Sequence, residues 1–297
     1  MKKQGMFLLF SLALLAIVFS AFYNKIELKK QTVYNVLEGI TQRVTKSQEK
    51  TDIILYFPGN DFNLLKAEDR LIDDNDSIEK SIVNEIIKGP LKEGKSQIVS
   101  SKTKVIKIKR QGNTLTLNLT KDFLNPIYSN SGEDYLKIYS IVNSLTELPG
   151  IQYIDLYVEN KHISKFTGYE DYKGLLSRNR KIIEKKKYLN PMEVLKEQMK
   201  LETQQKWLEA YMLMSDDCLN GNRLYFDEYV KQNKEIMDSG FINEDYEIGG
   251  YTIKKDKAYV DVYFYTYEGG QRCLLKKLKL GCIKIDDSWM VDWVQPE

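Results

Sequence analysis

The sequence predicts an α+β protein in which an N-terminal membrane helix precedes two folded domains. Residues 6–23 carry no charge, and residues 132–157 combine a helix-periodic apolar pattern with an apolar strand that follows at once. The last third reads as a long helical stretch followed by alternating strands. Because 297 residues exceed the usual size of one domain, we expect two domains plus accessory segments.

The composition limits the classes of partner and chemistry. The 44 basic and 42 acidic residues leave a formal net charge of only +2, whereas nucleic-acid binding needs a concentrated basic surface. His162 is the only histidine, and Cys218, Cys273 and Cys282 show no paired spacing. We therefore expect buried free thiols and no disulfide, metal, cofactor or nucleic-acid partner.

Residues 1–23 are predicted to be a signal anchor or a signal peptide. The uncharged run spans roughly 27 Å as a helix, close to the roughly 30 Å hydrocarbon core of a bilayer. Val18-Phe19-Ser20 offers a passable cleavage site, and retention as an anchor is the favoured interpretation. The prediction is a single-pass protein of the cell membrane with most of the chain extracytoplasmic, and residues 24–50 are predicted to form a juxtamembrane stalk.

The first domain is predicted to cover residues 51–166. Its pattern alternates short apolar runs with helix-periodic stretches, and the breaks fall at Pro58-Gly59, Gly89-Pro90, Gly112-Asn113 and Pro149-Gly150. The segment after Pro58-Gly59 is interpreted as a polar loop. The predicted elements, in order, are strand 53–57, helix 78–88, hairpin 105–119, helix 132–149 and strand 151–158. This order places two helices on one face of a small sheet.

The domain contains the stretches ILYFPG (54–59), Leu65-x-x-Glu68-x-Arg70, IIKGP (86–90), LNLTKDF (117–123) and IYSIVNSLTELPGI (138–151). Together these stretches resemble the GerM domain of sporulation and spore-germination proteins, over about residues 52–166. The resemblance implies a membrane-tethered, extracytoplasmic protein of a Gram-positive envelope. It also implies a fold similar to the ring-building modules of the forespore channel complex, and so a role in assembly. The name-giving protein carries tandem copies, whereas one copy is visible here.

Residues 167–189 are predicted to form a basic linker, and residues 190–297 a cone-like α+β domain. The linker's basic residues indicate either a solvated segment or attraction to anionic wall polymers or lipid headgroups. The last domain resembles nuclear-transport-factor-two-like and cystatin-like domains, with a helix to about residue 214 followed by an antiparallel meander. The apolar residues before and after Gly281-Cys282 differ in parity, which predicts a β-bulge there.

Five residues are predicted as candidate binding residues. Asn143 lies inside a helix, where its amide needs partners, and Glu68 with Arg70 either binds a ligand or pins a loop. Tyr263 and Tyr265 lie on the strand face opposite the apolar residues, which suits either a partner surface or the wet side of a sheet.

The sequence contains no phosphate-binding glycine loop, nucleophile elbow, metal-binding HExxH motif or paired-cysteine site. We therefore predict a noncatalytic protein that assembles with envelope proteins or with itself, in sporulation or germination. The alternative is a module that binds a small ligand or a cell-wall polymer. A hydrolase that uses Glu68 is a third hypothesis.

Overall fold

The computed structural model describes residues 50–73, 77–128, 132–216, 218–221, 223–238 and 245–293. Within them the chain is α+β, as predicted. No helix in these ranges is both long and apolar enough to cross a membrane. The predicted membrane segment, and the predicted stalk apart from Lys50, lie outside the described residues.

The first two strands form a two-stranded antiparallel sheet, with β1 at Lys50–Pro58 and β2 at Leu65–Asp73. The sequence interpretation of the β2 segment as a polar loop was wrong. Leu65, Glu68, Arg70 and Ile72 are all buried, but Glu68 and Arg70 are charged, so the apolar alternation typical of a strand is hidden.

The predicted helix and hairpin follow. Helix α1 (Ile78–Lys88) begins at Ser77, whose hydroxyl accepts from the Lys80 amide, and ends at Gly89 with a φ of 91°. Strands β3 (Val105–Gln111) and β4 (Thr114–Leu119) pair antiparallel.

Helix α2 and strand β5 complete the predicted domain. Helix α2 (Glu133–Leu145) ends before the predicted position at Pro149, and the Thr146 hydroxyl donates to the carbonyl of Val142 at 2.8 Å. Strand β5 (Tyr153–Val158) pairs parallel with β4. Short strands β6 (Lys161–His162) and β7 (Leu176–Ser177) add to β5.

The segment predicted as a linker packs against the folded parts on both sides. Its strand β7 pairs with β5, and the Glu184 amide donates to the Leu65 carbonyl at 2.8 Å. Tyr188 accepts from the Trp289 amide at 2.8 Å. Leu176, Ile183 and Tyr188 are buried, so their apolar side chains hold this basic segment in place. The domain boundaries given above stay predictions.

The remaining residues form helices followed by a four-stranded antiparallel sheet. The predicted helix from 190 to about 214 is divided, because Gln205 has a φ of 57° that an α-helix does not accept. The helices are α3 (Pro191–Thr203), α4 (Trp207–Tyr211), α5 (Cys218–Gly221) and α6 (Phe226–Asp238). The strands are β8 (Tyr246–Lys254), β9 (Lys257–Glu268), β10 (Gln271–Ile285) and β11 (Ser288–Val291), in the spatial order β11-β10-β9-β8.

The predicted bulge at Gly281-Cys282 was wrong. Pairing between β9 and β10 is regular there, and the register shift lies between Leu274 and Lys276. Leu280 and Cys282 are both buried, whereas Ile283 is only partly buried. Ile283 and Ile285 therefore lie on the other face of the sheet from Leu280 and Cys282, and the register needs no correction at this point.

Strand β1 is buried on both faces and joins two cores. Successive side chains of a strand point to opposite faces. Ile53, Leu55 and Phe57 pack into the core formed with α1, α2 and β3–β5. Ile54 and Tyr56 pack into a second core that contains residues of α4 and α6. The C-terminal helices therefore complete the burial of β1.

Candidate functional site

Helix α2 supplies buried polar side chains to the free edge of β1. The Tyr56 amide donates to Ser144 Oγ at 3.0 Å, and Ser140 Oγ donates to the Tyr56 carbonyl. Both serines are fully buried. Since β1 pairs with a strand on one side only, these hydroxyls provide the partners that its buried backbone groups need.

Asn143 binds the segment that follows β7. Its Nδ2 donates to the Asn179 carbonyl at 3.0 Å, and its Oδ1 accepts from the Asn179 amide at 2.9 Å. The Asn143 side chain is fully buried, so it acts here as a positioning group for residues 178–180. The candidate residue Asn143 is thus placed beside a charged network, while ligand binding by its own amide stays a prediction.

The charged network begins at Tyr56. Its hydroxyl donates to Glu147 Oε1 at 2.5 Å, and Arg178 Nη2 lies 2.5 Å from that carboxylate and 2.9 Å from the Tyr56 hydroxyl. Burial raises the pKa of Tyr56 well above its usual range, so the phenol stays a neutral donor. Burial alone would raise the pKa of Glu147, but the Arg178 charge overrides that effect and holds it below its ordinary value.

Asp216 extends the network into the C-terminal part. Its carboxylate pairs with Arg180 Nε and lies 2.5 Å from Arg223 Nη1 and 4.0 Å from Arg178 Nη2. Burial opposes ionisation of Asp216, but the guanidinium groups of Arg178, Arg223 and Arg180 lower its pKa below the usual value. Three arginines and two carboxylates therefore connect the residues around α2, the segment after β7 and the C-terminal helices. Sequence reasoning missed this network because it treated Arg178 and Arg180 as solvated linker charges.

Glu68 and Arg70 form a buried clamp around the end of α1. Arg70 Nη2 donates to Glu68 Oε1 at 2.7 Å and to the Gly89 carbonyl at 2.6 Å. The Glu68 carboxylate also accepts from the amides of Leu91 and Lys92 at 3.0 and 3.1 Å. Burial opposes ionisation, yet these donors lower the pKa of Glu68 below its usual value. Glu68 is fully buried, so the clamp explains the loop conformation, and binding by this pair stays a prediction.

Tyr263 and Tyr265 lie on the accessible face of β9, opposite the buried Ala258, Val260 and Val262. The Tyr265 hydroxyl donates to Glu247 Oε2 at 2.9 Å, and the Arg272 guanidinium lies 3.4 Å from the centre of the Tyr265 ring. Lys277 Nζ lies 4.9 Å from the Tyr263 ring. This face is therefore a surface of aromatic rings covered by charged side chains, separate from the charged network.

An exposed apolar patch continues this face toward the end of the β9–β10 hairpin. Tyr267, Leu274 and Leu275 are 63%, 56% and 58% exposed, and Leu274 lies opposite Tyr265 in the register. We call Tyr265, Tyr267, Leu274 and Leu275 the hairpin patch. Large exposed apolar side chains grouped in this way are typical of interaction surfaces. The sequence analysis identified Tyr265 but not the leucines, which lie at the register shift between Leu274 and Lys276.

The described residues offer no group of three or more His, Cys, Asp or Glu side chains that could hold a metal ion. Outside the charged network, Glu202 on α3 has a raised pKa. Its carboxylate accepts from the Tyr229 hydroxyl at 2.7 Å. Burial raises the pKa of Glu202 to about 7, and the Tyr229 hydrogen bond opposes this only in part.

We expect Glu202→Gln to stabilise the protein at pH 8 but not at pH 5. The pKa of an unfolded glutamate is about 4.3. Between that pH and about 7, the folded state therefore binds a proton that the unfolded state has lost. The contribution of protonated Glu202 to wild-type stability is fully present below about pH 4.3, and it is lost as the pH rises through about 7. The advantage of the variant over wild type should therefore grow by about 3 kcal/mol between pH 5 and pH 8, measured by urea denaturation at each pH. Glu193→Gln, an exposed change on the same helix, is the control. A pH-independent advantage would contradict this expectation.

Comparison with known proteins identifies one domain of the chain. Residues 54–164 match the family model "Germane: Sporulation and spore germination". These residues form a GerM-like domain. The GerM-like domain comprises β1 from Ile54 through β5 and β6, and so includes the Glu68–Arg70 clamp and all of α2. The match supports a role in sporulation or germination. No curated protein matches the chain significantly.

Solved structures with detectable likeness include tandem GerMN domains of the sporulation protein GerM from Bacillus subtilis, at 22% identity and a TM-score of 0.38. That likeness covers 49% of this chain and 51% of the tandem structure, so the chain spans about half of its length. The first GerMN domain of the same protein matches at 16% identity, a TM-score of 0.36 and coverage of 44% and 98%. A putative lipoprotein from Clostridium perfringens matches at 21% identity, a TM-score of 0.26 and coverage of 38% and 76%. With TM-scores below 0.5, the assignment of the GerM-like domain rests on the family match.

Proposed function

We propose that this protein is a noncatalytic, membrane-anchored extracytoplasmic protein that acts in protein assembly at the cell or forespore envelope during sporulation or germination. The observation that carries the proposal is the GerM-like domain at residues 54–164. The uncharged run at residues 6–23 supports the anchor, because its length as a helix suits a bilayer. In this proposal the GerM-like domain and the C-terminal part lie outside the cytoplasm.

The hairpin patch is the surface that suits a protein partner. Exposed tyrosine and leucine side chains on a paired hairpin can bury apolar area against a partner. Arg272 covers the Tyr265 ring and pairs with Glu247, so these two charged side chains form the polar part of the surface. The partner is another envelope protein or a second copy of this chain.

The test is crosslinking in sporulating cells that express the full-length protein. We expect Leu274→Ser combined with Leu275→Ser to reduce crosslinked complexes at least tenfold, because both exposed apolar side chains of the patch are lost. The matched control is Leu91→Ser combined with Leu189→Ser, since those leucines are 79% and 75% exposed outside the patch. Absence of any complex with wild type, or an equal loss in the control, would count against the proposal.

A further inference from the structure

A shallow cleft of about 380 Å³ lies where β5 begins, beside β7. Its volume is within the range of small-molecule sites, roughly 300–1,000 Å³. Two of its lining side chains are cations and none is a carboxylate, and hydroxyl and amide groups supply most of the rest. The lining residues are Thr146, Ile151, Gln152, Tyr153, Ser177, Arg178 and Arg180. Such a lining favours a ligand that is an anion.

The charges behind the cleft do not balance. Arg178, Arg180 and Arg223 face the two carboxylates of Glu147 and Asp216 in the charged network of the described residues. Lys185 adds a further positive charge near these arginines, and its pKa is lowered by burial and then by their proximity, despite attraction to Asp216. This count covers the described residues only and so leaves out Asp217. An additional anion at the cleft would offset the excess positive charge.

Arg180 also has donors to offer to a ligand in the cleft. The side chain of Arg180 is 45% exposed and directs Nε to Asp216, and no other described partner of its guanidinium is found. Arg178 Nε is buried without a hydrogen-bond partner among the described residues. A guanidinium presents its N–H groups in a planar fork that matches a carboxylate or a phosphate.

The backbone holds these arginines in position. Asn179 has an extended conformation, with φ −111° and ψ 102°, so the side chains of Arg178 and Arg180 leave the chain on the same side. Asn143 fixes the Asn179 backbone with two hydrogen bonds. The pair of guanidinium groups is therefore ordered before a ligand arrives, which lowers the entropic cost of binding.

We propose that this cleft binds an oxyanion, a carboxylate or a phosphate, carried by a molecule the size of one sugar. Arg178 and Arg180 recognise the anionic group. Tyr153, whose side chain is 37% exposed at the wall of the cleft, offers an apolar ring face to the body of the ligand. Gln152 Oε1 accepts from Asn113, so its Nε2 is the donor to a ligand hydroxyl. Thr146 Oγ1 donates to the Val142 carbonyl and is therefore an acceptor for a ligand hydroxyl. This binding site is independent of the assembly function proposed above, and either can hold without the other.

The experiment is isothermal titration calorimetry with the full-length protein in detergent. The probes are glucose 6-phosphate, glucuronate, inorganic phosphate and glucose. We expect at least one of the two anionic sugars to bind and neutral glucose not to bind, and the stronger anionic sugar identifies phosphate or carboxylate as the preferred group. Inorganic phosphate should bind more weakly than the preferred sugar, because it lacks the part that contacts Tyr153. Binding of neither anionic sugar, or equal binding of glucose, would overturn the proposal.

Variants assign the binding to the cleft. Arg180→Gln should lower the affinity for the preferred anionic sugar at least tenfold, and Tyr153→Ala should weaken that sugar but not inorganic phosphate. Lys181→Gln is the matched control, because Lys181 is an exposed cation next to Arg180 that does not line the cleft. A thermal melt verifies that Arg180→Gln is folded. An equal loss of affinity in Lys181→Gln would show attraction to general positive charge and refute the site.

Discussion

Replacing Arg178 with methionine is expected to lower the free energy of unfolding by about 3–5 kcal/mol, because it leaves a buried carboxylate without its cation. Glu147 is 9% exposed and lies 2.5 Å from Arg178 Nη2, so water cannot take the place of the guanidinium. The change also removes the donor to the Tyr56 hydroxyl at the contact between the two cores. Urea denaturation of the purified protein at pH 7, followed by circular dichroism, measures the loss.

Two further variants separate the buried charge from general effects. Lys181→Met changes an exposed cation nearby and should alter stability by no more than about 0.5 kcal/mol. Combining Arg178→Met with Glu147→Leu removes both charges and should recover much of the loss, since apolar replacements of a buried pair are often neutral. If the single Arg178 variant is as stable as wild type, the network does not hold the two cores together.

Glu68→Ala is expected to destabilise the protein by about 2–3 kcal/mol, because several buried donors lose a charged acceptor. The variant removes the carboxylate that accepts from Arg70 and from the amides of Leu91 and Lys92. Arg70 keeps its ion pair with Glu85 at 2.6 Å, so its charge stays compensated. Because the folded pKa of Glu68 is lowered, its contribution is present above the unfolded value, about 4.3. It is lost as the pH falls through the folded pKa. The difference from wild type should therefore shrink in acid.

The control for Glu68 is its neighbour in sequence. Asp69→Ala removes a surface ion pair with Lys92, whose side chains are 37% and 54% exposed, and should cost less than about 1 kcal/mol. Urea denaturation at pH 7 and in acid gives both comparisons. Equal losses in the two variants would mean that the clamp around the end of α1 contributes no more than a surface pair.

The Glu68–Arg70 clamp could be predicted from the sequence only in part. The charged pair Glu68 and Arg70 was identified, together with its role in pinning a loop as one alternative. The strand that carries the pair was missed, because a strand with buried charges does not show the apolar period of two. Glu68 is buried together with its donors, the amides of Leu91 and Lys92. These donors lie more than twenty residues away in the chain, beyond the end of α1, so local sequence does not reveal them.

The same limit applies to the charged network. Asn143 was identified because an amide inside a helix needs partners, whereas Ser140 and Ser144 on the same helix were not. A serine in a helix is unremarkable in sequence, and its importance arises from the free edge of β1 beside it. Arg178 and Arg180 are basic residues in a basic segment, so nothing local distinguishes them from the solvated charges that follow.

The sequence by itself determined the elements that local periodicity encodes: helix α1, the β3–β4 hairpin, the succession of α2 and β5, and the buried face of β9. Its motifs also identified the GerM-like domain. Only the tertiary structure decided that β1 is buried on both faces, that Arg178 and Asp216 belong to one network, and that the hairpin patch is exposed. Apolar periodicity indicates which face of a helix or strand is buried. It does not indicate which residues pack against that face, because those residues are distant in the chain.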